Sequence, residues 1–174
     1  MVAGCVGCGA SEPKSAAPSK AQAAKALAGA PPALASLHKQ GNQLLFGGKS
    51  AFDSRIASLR GHPVVVNKWA SWCAPCRGEF PVFQKVSVQL GKKIAFLGVD
   101  GNDPNDGARG FLKRYPVSYP SYSDPDERIA SSIKASGPYP ATVFFDPRGK
   151  VVFTHYGPYS SASDLITDIH RYGA

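Results

Sequence analysis

The hydrophobic pattern changes at Pro63, and the part of the chain after it alternates between two kinds of segment. Short β-branched or aromatic runs, which predict strands, are separated by segments whose apolar residues recur at helical spacing. The strand-like runs are VVVNKWA (64–70), IAFLGVD (94–100), ATVFF (141–145) and KVVFTHY (150–156). The DPRG turn joins the last two as a hairpin. This order predicts an α/β domain with a central mixed sheet and helices on both faces.

Helices and one further strand are predicted between these runs. Residues 77–90 place apolar side chains on one helical face, and residues 161–172 form a closing amphipathic helix. Asp103-Pro104 predicts the N-cap and first-turn proline of another helix. SYPSYSD (118–124) is typical of a short edge strand, and PDERIASSIK (125–134) of a short helix. No internal repeat interrupts this order.

The first third of the chain has a different composition. Residues 11–32 contain one large aliphatic residue, Leu27, among Ala, Ser, Pro and Lys. Such a segment buries too little apolar surface to offset the entropy of ordering, so we predict a flexible tether, transiently helical around residues 22–28, with 1–32 outside the domain. Residues 33–60 predict two short helices broken at GGKS, an extension of the domain at 33–174.

Composition limits the classes of partner. The 174-residue chain carries a formal charge of +8, but its basic residues are scattered. Nucleic-acid binding needs a clustered basic face, so we do not expect it. Diffuse positive charge suits a solvated surface, or attraction to an anionic membrane surface. The chain as given contains no apolar run of 18 residues that would span a bilayer.

Cys73 and Cys76 are separated by two residues, directly between a predicted strand and a predicted helix. The positive end of a helix stabilises a thiolate, so Cys73 is placed to be a nucleophile and Cys76 to be the resolving thiol. Pro75 sets the turn between them. Trp69 and Trp72 frame the pair with apolar surface that could shield it and contact a partner.

Two other readings of this spacing are an inert pair of cysteines and half of a zinc site. Zinc needs a second pair of ligands at suitable spacing. His155 and His170 are isolated, and Cys5 and Cys8 lie far upstream. The spacing therefore favours a redox pair, with no metal expected.

The sequence here resembles the thioredoxin superfamily, and within it the extracytoplasmic TlpA/ResA-like branch. The segment VVVNKWASWCAPCRGEFP is similar to the active-site segment, and GPYPATVFFDPRGKVV to the cis-proline loop with its hairpin. Residues 96–133 resemble the αβ element that this branch inserts. The resemblance runs from Val64 to the C-terminus and implies a thioredoxin-like fold.

The resemblance also implies roles for individual residues. Tyr139-Pro140 is expected to be cis and to face the disulfide, with the Tyr139 backbone pairing with an extended substrate. Glu79 is expected to accept a proton from Cys76, and Asn67 replaces the buried acid of thioredoxin. Tyr139 is larger than the residue usual before the proline. Lys68, where an apolar residue is usual, could lower the pKa of a nearby thiol, but it is expected instead to extend its ammonium group into water.

The implied activity is thiol–disulfide exchange outside the cytoplasm, with the cysteine couple as the only redox group and no other cofactor. The expected partners are disulfide-containing proteins, such as a cytochrome c apoprotein, and an upstream thiol electron donor, with the protein acting as a monomer. A peroxiredoxin-like peroxidase is an alternative. It is disfavoured because a peroxidase usually has an isolated nucleophilic cysteine, whereas Cys73 has Cys76 three residues further on. A soft-metal-binding module or metallochaperone is another. Copper carriers of this fold pair more widely spaced cysteines with a distal histidine, a place that His155 would fill only by chance, so this alternative is also disfavoured.

The N-terminal pair differs from the central one. VAGC, ending at Cys5, resembles a bacterial lipobox, although Met1 stands too close to leave room for a secretion signal. We expect Cys5 to be a lipid anchor that holds the protein at the outer side of a membrane. Cys8 then has no evident role. The alternative is a Cys5–Cys8 redox shuttle, which the glycine-rich context disfavours.

Overall fold

The computed structural model describes residues 17–173 of the chain. Its helices are α1 Lys20–Leu27, α2 Pro32–Lys39, α3 Gly48–Ser58, α4 Ala74–Leu90, α5 Asn105–Arg114, α6 Arg128–Ser132 and α7 Ala162–Tyr172. Its strands are β1 Leu44–Leu45, β2 Val64–Trp69, β3 Ala95–Gly101, β4 Ser121–Asp124, β5 Ala141–Phe145 and β6 Val151–Tyr156. Residues 1–16, which include Cys5 and Cys8, lie outside the described part.

The strands form one sheet in the order β1-β4-β3-β2-β5-β6. Strands β1, β4, β3 and β2 run parallel, whereas β5 is antiparallel to both β2 and β6. The predicted mixed sheet and the β5–β6 hairpin are therefore confirmed. Because β2 and β3 are parallel neighbours at the centre, the loops that follow them emerge at the same edge of the sheet.

Helices cover both faces of the sheet, as predicted. Side chains alternate between the faces along each strand, so that Val65 packs on one core and Val66 on the other. We call the side covered by α4, α5 and α7 the α4 face, and the side covered by α2, α3 and α6 the α3 face. Strand β2 is buried on both faces over its whole length, which explains its nearly continuous β-branched sequence.

Two local predictions were wrong. Strand β4 is not an edge strand, because β1 pairs with it in parallel through Leu44 and Ser121. A two-residue strand is too short for a periodic pattern to reveal. Asp103 does not cap α5, whose N-cap is Pro104. The Asp103 carboxylate instead accepts hydrogen bonds from the loop after β2.

The segment expected to be a tether contains an ordered helix in its described part. Ser19 and Gln22 form a capping box at the start of α1. Ala23 and Leu27 are buried, and Gln84 of α4 donates a 3.1 Å hydrogen bond to the Pro18 carbonyl. Helix α1 therefore packs against α4, with Leu27 beside Gly91 at the C-terminal end of that helix. No helix within residues 17–173 is long and apolar enough to cross a membrane.

Candidate active site

Strand β2 leads directly to the cysteine pair at the N-terminus of α4. Cys73 is the N-cap residue, and its Sγ accepts a 3.2 Å hydrogen bond from the Cys76 backbone N–H. The two cysteines form a disulfide with a Cα–Cα distance of 5.3 Å. Cys73 is 3% exposed and Cys76 is fully buried. Pro75 lies in the exposed first turn between them. Only Cys73 thus presents a surface to solvent, at the positive end of a helix.

The two tryptophans lie in different environments. Trp69 is fully buried, stacks on Phe111 at 4.8 Å between ring centroids, and donates through Nε1 to Ser121. It shields the core beneath the disulfide, but the expectation that it also contacts a partner is wrong. Trp72 is 51% exposed, and its ring lies 4.9 Å from that of Tyr139. Partner contact is open to Trp72 alone of the two.

The loop between β2 and Cys73 is fixed by the loop after β3. The Asp103 carboxylate accepts hydrogen bonds from the backbone N–H and the hydroxyl of Ser71, the latter at 2.8 Å. Trp72 Nε1 donates to the Asn102 carbonyl at 2.9 Å. Asp100 is fully buried, and burial, followed by the nearby charge of Asp103, raises its pKa to about 9. Sequence reasoning assigned no role here to Asp100 or Asp103.

Glu79 is fully buried one helical turn after Cys76, on the α4 face. Its carboxyl group accepts a 2.6 Å hydrogen bond from the Asn67 side-chain amide and a 3.3 Å bond from the Tyr159 backbone N–H. Burial raises the Glu79 pKa to about 8, although these two hydrogen bonds partly oppose the shift. The structure therefore brings Glu79 and Asn67 together. Glu79 can hold or release a proton near neutral pH.

The Tyr139-Pro140 peptide bond is cis, as the resemblance predicted. Ala141, the next residue, pairs with Lys68 near the end of β2, so the proline loop lies beside the point where the cysteine loop begins. The Pro140 carbonyl accepts a hydrogen bond from the Gly157 N–H. Within residues 17–173, the Tyr139 backbone makes no backbone–backbone hydrogen bond, which leaves it available to an extended ligand.

Lys68 does not extend into water, contrary to expectation. Its side chain is fully buried on the α3 face, with Nζ 2.8 Å from Glu127 Oε1 and 3.8 Å from the centre of the Tyr139 ring. Sequence reasoning missed Glu127. The available signal was Lys68 itself, because a lysine inside a strand buried on both faces needs an acidic partner.

Metal ligation finds no support in the described part of the chain. Residues 17–173 contain no group of three or more His, Cys, Asp or Glu side chains arranged to hold a metal ion. His155 stacks on Tyr159 at 4.4 Å between ring centroids. Its ring is therefore engaged in an aromatic contact.

Comparison with known proteins assigns the chain to a family. The family model described as "AhpC/TSA family" matches residues 48–154, which is more than half of the chain. The chain belongs to the AhpC/TSA family. A thiol:disulfide interchange protein DsbE homolog of Paracoccus denitrificans is 37% identical over 95 residues, covering 54% of this chain and 50% of that protein. The thiol-disulfide oxidoreductase ResA of Bacillus subtilis is 30% identical over 98 residues, covering 56% and 54%.

A solved structure extends the comparison to the fold. MTB DsbF, in its mixed oxidised and reduced forms, matches with a TM-score of 0.60 and 31% identity, over 66% of this chain and 84% of that one. The predicted thioredoxin-like fold and the resemblance to thiol–disulfide oxidoreductases such as ResA are thereby confirmed. The chain spans about half the length of the curated relatives it matches.

Proposed function

We propose that this protein is a thiol–disulfide oxidoreductase that works through the Cys73–Cys76 couple. The observation that carries the proposal is the disulfide at the N-terminus of α4, with Cys73 as the N-cap residue and the more exposed sulfur. In the reduced protein, the Cys73 thiolate attacks a substrate disulfide and forms a mixed disulfide, releasing one substrate thiolate. The Cys76 thiolate then attacks Cys73 Sγ, releasing the second substrate thiolate and closing the Cys73–Cys76 disulfide.

Glu79 is the proposed proton acceptor for Cys76. It lies one turn further along the same helix, and its pKa of about 8 suits exchange with a thiol. Asn67 donates a hydrogen bond to the Glu79 carboxyl and so orients it. Burial disfavours the carboxylate, which makes the ionised form a stronger base than an exposed glutamate.

The substrate is proposed to bind as an extended segment beside Tyr139-Pro140. Support comes from the Tyr139 backbone, which makes no backbone–backbone hydrogen bond within residues 17–173, and from the exposed Trp72 ring beside it. Main-chain pairing gives affinity without demanding one sequence, so several disulfide-containing proteins can share the site. The half-exposed aromatic ring adds apolar contact area at the rim.

We further propose that the protein reduces disulfides outside the cytoplasm. The names of the relatives, a DsbE homolog and ResA, support exchange with protein disulfides. A cytochrome c apoprotein is the proposed substrate, with an upstream thiol protein as electron donor and the enzyme acting as a monomer. Anchoring by a lipid on Cys5 remains a proposal from the sequence, which mass spectrometry of the native N-terminus tests.

The test of the proposal is reduction of insulin disulfides in the presence of dithiothreitol. Cys73→Ser is expected to lower the catalysed rate at least about a thousandfold, because it removes the nucleophile. Cys76→Ser is expected to accumulate a mixed disulfide with the substrate, seen by non-reducing electrophoresis. The Cys5→Ser/Cys8→Ser double variant serves as a matched control with full activity. Rapid peroxide consumption without insulin reduction would instead identify a peroxidase, and metal binding through Cys73 and Cys76 without reduction would identify a metal carrier.

The direction of electron flow is tested separately, by equilibrating the couple with glutathione or dithiothreitol buffers. A reduction potential near the value of about −270 mV typical of thioredoxin supports a reductase. A potential near the value of about −120 mV found in DsbA would reverse the assignment to an oxidase.

A further inference from the structure

Four consecutive backbone carbonyls precede the Tyr139-Pro140 bond, and each lies within hydrogen-bonding distance of a side chain from elsewhere in the fold. We call residues 134–137 the clamped loop. The buried Lys68 ammonium donates to two of these carbonyls, those of Ala135 at 2.9 Å and Gly137 at 3.2 Å. The Tyr156 hydroxyl lies near the other two, those of Lys134 at 3.1 Å and Ser136 at 3.3 Å. The loop is therefore held from the protein interior by one residue and from the surface by another.

The Lys68 ammonium has a hydrogen-bond acceptor for each of its N–H bonds. Its three N–H bonds face three oxygens, the third being Glu127 Oε1 at 2.8 Å. The same carboxylate oxygen accepts a hydrogen bond from the Tyr139 hydroxyl, and the Tyr139 ring lies 3.8 Å from Nζ. Partial burial raises the pKa of Glu127, but the hydrogen bonds from Lys68 and Tyr139, together with the charge of Lys68, outweigh it, so the pKa is lowered. One buried cation thus contacts both the clamped loop and the residue before the cis-proline.

Burial alone does not account for a lysine at this position. The cross-strand neighbours of Lys68 are Val99 on β3 and Ala141 on β5, and Val66 precedes it on the same face. An aliphatic side chain would suit these neighbours without the cost of removing an ammonium group from water. What an aliphatic side chain lacks is the ability to bond the carbonyls of the clamped loop and to face the Tyr139 ring.

We propose that Lys68 is a positioning residue for substrate binding. It fixes the clamped loop and the Tyr139 ring, so that the Tyr139 backbone and the Trp72 ring form one preorganised surface for an extended disulfide-containing segment. The inference rests on the proposed function, since it concerns the same binding site. A loop that is already ordered loses less conformational entropy when it binds its ligand, so the benefit falls on affinity for peptide substrates.

The test compares two disulfides of different size in Lys68→Met. For a disulfide-containing peptide, KM is expected to rise about tenfold while kcat changes by less than about twofold. The reason is that the variant loses binding energy that the bound substrate and the transition state share equally. For hydroxyethyl disulfide, which is too small to span the loop, the rate constant is expected to be unchanged. The reduction potential of the Cys73–Cys76 couple is also expected to be unchanged.

A second variant tests the same loop from the surface. Tyr156→Phe keeps the ring and removes only the hydroxyl that faces the Lys134 and Ser136 carbonyls, and it is expected to raise the peptide KM about threefold. Val152→Ala is the matched control, since Val152 is also half-exposed on β6 but does not contact the clamped loop through a polar atom. Its peptide KM is expected to equal that of the wild type.

Amide hydrogen exchange provides a readout that does not depend on activity. In Lys68→Met, the amides of Lys134 and Ala135, which donate to the Ser131 and Ala130 carbonyls, are expected to exchange faster, whereas those of α4 keep their wild-type rates. Unchanged exchange at these two amides, or an unchanged peptide KM in both variants, would overturn the inference. So would an equal loss of rate with the peptide and with hydroxyethyl disulfide. If wild-type protein reduces neither disulfide, the proposed function fails, and the exchange result still decides whether Lys68 orders the loop.

Discussion

Asn67 and Lys68 are adjacent in β2, yet they serve opposite faces of the sheet and different kinds of polar network. On the α4 face, the Asn67 amide bonds the Glu79 carboxyl three residues beyond Cys76. On the α3 face, the Lys68 ammonium bonds the Glu127 carboxylate beneath the cis-proline loop. The end of one strand therefore supports both the thiol side and the proposed substrate side of the site.

The difference between Glu79 and Glu127 shows that the hydrogen-bond partner of a buried carboxyl group decides the direction of its pKa shift. Burial raises the pKa of Glu79 to about 8, and its neutral partners only partly offset this. Burial also raises the pKa of Glu127, but hydrogen bonds from the Lys68 ammonium and from Tyr139 outweigh it. The first group can exchange a proton near neutral pH, whereas the second is a fixed charge. Proton transfer by Glu79 thus belongs to the α4 face of the sheet, and loop positioning by Lys68 and Glu127 belongs to the α3 face.

The largest expected effect concerns the pH dependence of stability. Because the Glu79 pKa is about 8 in the folded chain against an ordinary value of 4.5, the folded state binds more protons between these limits. Stability from this group is therefore fully present below pH 4.5 and is lost as the pH rises through 8, by up to about 5 kcal/mol. Urea unfolding of wild type and Glu79→Gln at several pH values measures it, and the variant is expected to show a flatter profile.

Asp100, whose pKa is also raised, contributes with the same sign, so the wild-type slope contains both groups. The difference between wild type and Glu79→Gln isolates Glu79. Parallel pH profiles for the two proteins would show that Glu79 is already ionised at neutral pH, and the contrast between the two faces would disappear.

The second-largest expected effect is the loss of stability when the ion pair between Lys68 and Glu127 is broken. Glu127→Gln leaves the fully buried ammonium of Lys68 without a counter-charge and is expected to cost about 2 kcal/mol. This lies below the range for fully buried pairs, because the Glu127 side chain is 35% exposed. Lys68→Met is expected to cost less, since the remaining carboxylate can be hydrated. Equilibrium unfolding in urea at pH 7 measures both variants.

Asp126→Asn is the matched control for Glu127→Gln. It removes a neighbouring carboxylate whose contact with Arg128, at 4.0 Å, is largely exposed, and stability is expected to stay within about 0.5 kcal/mol of wild type. If Lys68→Met proves more destabilising than Glu127→Gln, packing of the lysine stem rather than its charge dominates on this face.

The smallest of these expected changes in stability concerns Trp72, at the exposed rim of the proposed binding site. Trp72→Ala removes a half-exposed ring and is expected to alter the free energy of unfolding by less than about 1 kcal/mol. Its KM for a disulfide-containing peptide is nevertheless expected to rise several-fold. Phe46→Ala, at an equally exposed aromatic residue, is the matched control and is expected to bind the peptide normally. Equal peptide KM values for the two variants would exclude Trp72 from the binding surface.

Features that depend on local sequence were predictable. The run into Cys73, the helix after Cys76 and the β5–β6 hairpin each follow from contiguous residues, and the structure contains all of them. The cis bond before Pro140 followed from a family resemblance, not from spacing.

Features that depend on distant partners were not predictable in this way. Helix α1 is ordered because Leu27 and Pro18 meet α4, and nothing in the composition of the segment indicates that contact. Lys68 was expected to reach water, but the acceptors that hold it lie in segments far along the chain. Asp103 was assigned to its own helix although it bonds Ser71. Each of these outcomes is decided by tertiary contacts, which a periodic pattern does not contain.

Glu127 has a backbone φ of 53°, a conformation that glycine adopts freely and that costs a residue with a side chain about 1 kcal/mol or more. A lysine ammonium in a doubly buried strand is unfavourable without a counter-charge, and the Glu127 carboxylate supplies that charge. Substitutions at the two positions are therefore expected to be non-additive. Lys68→Val combined with Glu127→Gly is expected to cost less stability than the sum of the two single changes.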